Sequence, residues 1–128
     1  MAWLHAENAL TSSGWQSGVR IGIEAGRISA IQTDQPPAAE DERHAVLVPA
    51  LGNLHSHAFQ HAMAGLTERR GRQGDSFWTW RELMYRFALA MTPDDVEAVA
   101  AMLYARMLEA GFARVGEFHY LHHDLDGG

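Results

Sequence analysis

At 128 residues, 47% hydrophobic and 20% charged, the chain is about one small domain long, and its ordinary globular composition excludes an intrinsically disordered segment. Its 16 acidic and 10 basic residues give a formal charge of -6; beyond Arg69, Arg70 and Arg72 the basic residues form no stripe, so nucleic acid is not an expected partner. There is no cysteine, which excludes disulfides and leaves imidazole and carboxylate as the ligands for any metal.

The first seven residues lack a basic stretch followed by an apolar one, and no segment reaches the ~18 uninterrupted apolar residues of a membrane span. A soluble, unprocessed, cytoplasmic chain with no membrane partner is expected. Apolar runs occupy residues 3–10 and 19–31. The second is broken at Glu24-Ala25-Gly26-Arg27, where glycine marks a tight turn between two strands, so a β-hairpin is predicted. Residues 33–43, with Pro36-Pro37 and Glu40-Asp41-Glu42, show no periodicity and read as an exposed connection. The continuous apolar run 45–51 then reads as one strand covered on both faces, leading directly into Gly52-Asn53-Leu54-His55-Ser56-His57.

Farther along, Asp75 or Ser76 caps a predicted helix that runs to about Ala90, with Trp78, Leu83 and Phe87 on its buried side. Thr92-Pro93-Asp94-Asp95 supplies the cap, the first-position proline and the acidic first turn of a second helix ending near Ala110. Val96, Val99, Met102, Leu103 and Met107 recur along it at helical spacing, and Gly111 is placed for a left-handed C-terminal cap. Residues 113–120 read as a further strand. The fold class is therefore α/β, with an N-terminal β region of sandwich type over residues 1–47 and the opening βαβ of a parallel α/β fold over 48–128. A closed (β/α)₈ barrel takes about 250 residues, so this length leaves room for only its first strands and helices.

The histidines fall largely into two groups, His55, His57 and His61, and then His119, His122 and His123. Side chains at i and i+2 of a strand share a face, so His55 and His57 can present two imidazoles to one metal ion. Two neutral ligands leave a zinc ion electrophilic enough to bring the pKa of a bound water near neutrality. A bare His-x-His pair recurs by chance, and two ligands are not a complete site. Its weight comes from its place at the end of an apolar strand, where parallel α/β folds keep their chemistry. Glu117, His119, His122 and His123 are suitable ligands in kind but are not read as a second metal centre; His119 or His122 is read instead as lying behind the metal ligands or on a loop lining the pocket.

The stretch Val48-Pro49-Ala50-Leu51-Gly52-Asn53-Leu54-His55-Ser56-His57 resembles the amidohydrolase superfamily signature. Its continuation through His57-Ala58-Phe59-Gln60, Ala62-Met63-Ala64-Gly65-Leu66, residues 75–86 and residues 117–124 is similar to the N-formimino-L-glutamate deiminase family of histidine degradation. The likeness extends over nearly the whole chain; His61 stands where that family more commonly has arginine. What the resemblance implies is a metal-dependent (β/α)₈ amidohydrolase barrel, incomplete here, with one Zn²⁺ per active site held in part by His55 and His57. It implies hydrolysis at the formimino carbon to give N-formyl-L-glutamate and ammonia, with Gln60, Arg81 and Tyr120 binding substrate. The third histidine ligand, an aspartate and the catalytic histidine of the family would lie on later strands. No catalytic residue is therefore expected in this chain, which alone should be inactive. Family members are often oligomeric, so the resemblance leaves a homo-oligomer of the complete enzyme open.

The substrate so implied carries two carboxylates, and the planar fork of arginine can clamp one of them bidentately. Tyr120 offers a phenolic hydroxyl, and Gln60 an amide that donates or accepts. From sequence alone, Arg81 reads more readily as a solvated helix face, and Tyr120 equally as core packing. Two other readings stand beside the deiminase: another deaminase of the same superfamily, such as one acting on an aromatic base, and a non-catalytic fragment.

Overall fold

The computed structural model describes residues 1–67 and 76–123; Arg69, Arg70, Arg72, Asp75 and Asp124 lie outside them. The chain divides into two compact units, Met1–Pro49 and Ala50–Gly128.

In the first unit β1 (Ala2–Thr11), β2 (Gly14–Glu24), β3 (Arg27–Gln32) and β4 (Glu42–Leu47) form one sheet in the order β3-β2-β1-β4. The pairs β1–β2 and β2–β3 are antiparallel, and β4 returns parallel to β1. The predicted β2–β3 hairpin is present. Its two turn residues, Ala25 and Gly26, both have positive φ, 50° and 73°, the conformation whose twist matches the flanking strands. Ala6, Ala9 and Val19 form the buried cluster of this unit, with Ile21 and Leu47 against it.

The segment 33–43 is not uniformly exposed. The Asp41 side chain is fully buried and accepts two hydrogen bonds from the Arg20 guanidinium, each 2.7 Å long, and a third from the Ala38 N–H at 2.8 Å. Arg20 in turn lies over the Trp3 ring, 4.6 Å from its centroid. A guanidinium covered by an indole has lost much of its water, and a carboxylate that meets its fork bidentately replaces that solvation. This partner is 21 residues away, beyond the reach of a periodicity argument.

The run 45–51 is also not one strand. β4 ends at Leu47, and β5 (Leu51–Ser56) opens the sheet of the second unit. Between them Pro49 has no N–H to give to a ladder and restricts the backbone of Val48. Nor is β5 covered on both faces among the described residues, since Leu51 is 58% and Leu54 91% exposed.

β5 pairs in parallel with β6 (Phe112–Glu117). Parallel neighbours need a long crossover, here a 3₁₀ segment (Ala58–Met63), α1 (Phe77–Ala88) and α2 (Pro93–Glu109). Both helices start where predicted. The Ser76 side chain accepts from the Thr79 N–H and the Thr92 side chain from the Asp95 N–H, each in a reciprocal capping box. Gly111, just past α2, has φ 86°, as a left-handed cap requires. Phe59, Met63 and Met84 form the core of this unit, with Trp80 and Phe87 packed against it. Trp78, expected inside, is 65% exposed, because two residues along a helix is roughly 200° of rotation and Trp80 takes the buried side. Met102, also expected inside, is 53% exposed; it lies off the stripe made by Val99, Leu103 and Met107. The last strand stops at Glu117 instead of continuing to Tyr120. No helix among the described residues is long and apolar enough to cross a membrane.

The hydrogen bonds from Arg20, working against burial, hold the Asp41 carboxyl down to about 2. A carboxyl depressed on folding stabilises the native state above its unfolded pKa of about 3.9 and loses that contribution as pH falls through the folded value. Asp41→Asn should therefore lower the urea midpoint at neutral pH, and the gap to the wild type should close as the pH is taken from about 4 toward 2.

Candidate functional site

His55 is the fifth residue of β5 and His57 follows the strand's last residue. Their Nε2 atoms stand 3.0 Å apart, with ring centroids separated by 4.7 Å and planes at 80°. The Nδ1–H of His57 donates to the Phe118 carbonyl oxygen at 2.9 Å. In a neutral ring this leaves Nε2 of His57 as the acceptor, so the contact between the two rings is closed by the Nε2–H of His55.

This pair fits a metal ion. Two nitrogens bound to one zinc at about 2.0 to 2.1 Å can be no more than about 4.2 Å apart, and the observed 3.0 Å lies inside that limit. A ligating histidine also needs its other nitrogen held by an acceptor, the service Phe118 provides to His57. Among the described residues no group of three or more histidine, aspartate or glutamate side chains is placed to hold a metal. This structure brings together two imidazoles suited to share one ion.

Tyr120 lies beyond β6, on coil rather than at the end of the strand, and its ring is 4.8 Å from that of His57. Phe118 and Phe59 stand 5.2 Å and 5.8 Å from it, so aromatic rings surround one side of the His57 imidazole. Gln60, on the 3₁₀ segment, directs its amide to the Met84 sulfur at 3.4 Å. Arg81 donates to the Tyr85 hydroxyl at 3.0 Å and lies over the Tyr85 and Trp78 rings at 5.1 Å and 5.8 Å. His55, His57 and Tyr120 are thus assembled, whereas the recorded contacts of Arg81 remain on α1. His61 accepts from Arg106 of α2 at 2.9 Å. His119, His122 and His123 border a cleft of about 520 Å³ beside Met91, Val96 and Glu97.

Glu117, the last residue of β6, has no role in the sequence reading, and it bears directly on the site. Its Oε1 accepts the Ala58 N–H at 2.7 Å, and its Oε2 is buried. Burial alone would raise its pKa; the Ser56 hydroxyl, the Ala58 N–H, the Tyr104 hydroxyl and the charge of His119 outweigh it and hold the carboxyl below its usual value. Tyr104 moves the other way, raised first by burial and then by that carboxylate. The available sequence signal is weak: a carboxylate directly after a glycine at the end of an apolar strand.

The fold is similar to the N-terminal part of amidohydrolases. A solved amidohydrolase from Brucella melitensis superposes with a TM-score of 0.92 at 60% identity, over 98% of this chain and 28% of that one. A guanine deaminase from C. acetobutylicum, at 17% identity, shares the fold alone, with a TM-score of 0.68 over 94% of this chain and 30% of that one.

Within that class the likeness is to formimidoylglutamate deiminase. Residues 1–45 match the family described as "Formimidoylglutamate deiminase HutF, N-terminal domain". Over 128 residues the chain is 48% identical to the formimidoylglutamate deiminase of Pseudomonas aeruginosa, covering 99% of this chain and 28% of that protein. The chain thus spans 28% of the curated relative it matches, and corresponds to its N-terminal part.

The approach of β6 to β5 at the site is close. A Cβ on Gly116 would meet the Leu54 carbonyl oxygen at 3.2 Å, whereas one on Gly52 would meet nothing within 4 Å. Gly116→Ala should therefore destabilise the fold by about 1 to 3 kcal/mol in urea unfolding, the range for an overpacked contact. Gly52→Ala should change it far less.

Proposed function

We propose that this chain supplies the first part of the active site of a zinc-dependent N-formimino-L-glutamate deiminase built on an amidohydrolase (β/α)₈ barrel. The observation that carries this reading is the convergence of the His55 and His57 Nε2 atoms, 3.0 Å apart, at the C-terminal end of a parallel strand pair. The 48% identity to a formimidoylglutamate deiminase supports the choice of substrate.

In the overall reaction water adds at the formimino carbon, the bond from that carbon to its terminal nitrogen breaks, and ammonia and N-formyl-L-glutamate are released. Bound zinc supplies Lewis acidity and lowers the pKa of a water. His55 and His57 hold the ion as neutral ligands, and the Phe118 carbonyl keeps His57 in the tautomer that can bind it. Tyr120 is held against His57, so its hydroxyl can donate to substrate beside the ligand. Arg81 has guanidinium donors beyond the one given to Tyr85, enough to clamp a substrate carboxylate. Gln60 offers a further amide contact. With two ligands and no general acid or base assigned to it, the 128-residue chain contributes binding groups and not the whole of catalysis.

The test is ammonia release from N-formimino-L-glutamate, with and without zinc, by the longest polypeptide the gene encodes and by the 128-residue chain. Zinc-dependent release by the longer polypeptide alone is expected; no release from either would refute the substrate assignment. His55→Ala and His57→Ala should each strip the metal and abolish activity, and a zinc-loaded, active double variant would refute the ligand assignment.

Arg81→Met in that longer polypeptide should lower kcat/KM on the order of 10- to 100-fold, the worth of a charge-assisted hydrogen-bonded pair. Unchanged kinetics would remove Arg81 from the substrate site.

A further inference from the structure

Three hydrogen bonds fasten the end of β6 onto the turn that bears His57. The Phe118 N–H donates to the Ser56 carbonyl at 2.9 Å, the His57 Nδ1–H donates to the Phe118 carbonyl at 2.9 Å, and the Ala58 N–H donates to Glu117 Oε1 at 2.7 Å. Only the last depends on a side chain of β6.

The start of the 3₁₀ segment explains why that side chain matters. Its N-cap residue is His57, which makes no side-chain cap, since its Nδ1 is committed to Phe118. The N–H of the first residue, Ala58, is buried at 1% exposure and needs an acceptor from elsewhere. Glu117 provides it from 59 positions away in sequence.

We propose that Glu117 is a positioning residue for the metal site: by capping Ala58 it fixes the backbone of His57, and so the direction in which Nε2 of His57 is presented. This rests on the reading of His57 as a metal ligand. The Phe118 carbonyl belongs to the main chain and cannot be deleted by substitution, so Glu117 is the accessible handle on the arrangement.

The measurement is zinc affinity, by competition with a chelator, in the longest polypeptide the gene encodes. Glu117→Ala removes the acceptor, and Glu117→Asp keeps the charge but draws the oxygen back by one methylene; both should weaken zinc binding about 10- to 100-fold. Glu117→Gln retains a carbonyl oxygen in place of Oε1 and should restore affinity close to wild type. Thr92→Ala, which removes the cap of α2 and destabilises the fold generally, should leave zinc affinity unchanged. With cobalt substituted for zinc, the visible d–d bands should shift in Glu117→Ala and Glu117→Asp and not in Thr92→Ala. Wild-type affinity in both Glu117→Ala and Glu117→Asp would overturn the proposal, as would a loss in Glu117→Gln or Thr92→Ala equal to theirs. Undiminished zinc binding in His57→Ala would overturn the ligand reading beneath it, an outcome distinct from unaltered binding in the Glu117 variants alone.

Discussion

The parallel pairing of β5 with β6 is the constraint on which the candidate site depends. It sets Ser56 opposite Glu117, and residues just beyond these two serve the arrangement: His57 and Ala58 after β5, Phe118 and Tyr120 after β6. Parallel strands cannot be joined by a tight turn, so the crossover carries the 3₁₀ segment and both helices, and it buries Phe59, Met63 and Met84 between them. The pairing is irregular between Asn53 and Ser56. There the Asn53 side-chain oxygen accepts the His55 N–H at 3.1 Å, standing in for a ladder bond. His55, within the strand, and His57, just beyond it, turn their rings toward one point.

The aromatic residues after β6 then close one side of His57. Phe118 and Tyr120 have the composition of a strand, and their spacing of two would keep both rings on one face had the ladder continued. Instead the chain leaves the sheet after Glu117, and the two rings pack with each other and with His57. Edge-to-face aromatic contacts of this kind add about 0.5 to 1.5 kcal/mol beyond burial, comparable to the ladder hydrogen bonds given up.

These relations divide what was legible in the sequence from what was not. The two helix starts and the hairpin turn were legible because each is decided within a few residues: Thr79 answers Ser76, Asp95 answers Thr92, and Ala25-Gly26 makes its own turn. The His-x-His pair was legible for the same reason. Asp41 was read as exposed because its partner Arg20 is 21 residues earlier, and Glu117 was left without a role because Ala58 is 59 residues earlier. Hydropathy carried residues 45–51 through as one strand although Pro49 divides it between two sheets, since apolar character outlasts hydrogen-bonding capacity. Trp78 and Trp80 form one apolar patch in sequence, and helix rotation separates them.

On the proposed reading of His57 as a metal ligand, the same geometry joins metal binding to folding. A neutral imidazole has one donor and one acceptor nitrogen, and for His57 the choice is made by the Phe118 carbonyl, an atom present at that position only when β6 is paired with β5. Affinity of His57 for a cation is therefore a property of the paired strands and not of the local His-Ser-His sequence. By linkage, whatever binds the paired state in preference to the open one stabilises the pairing by the same free energy. The Glu117 to Ala58 hydrogen bond lies on this path, because it ties the residue after the ligand to the strand that selects the ligand's tautomer. Two histidines two residues apart can meet on many strand ends; what distinguishes this pair is that the neighbouring strand fixes both the backbone and the protonation of one of them.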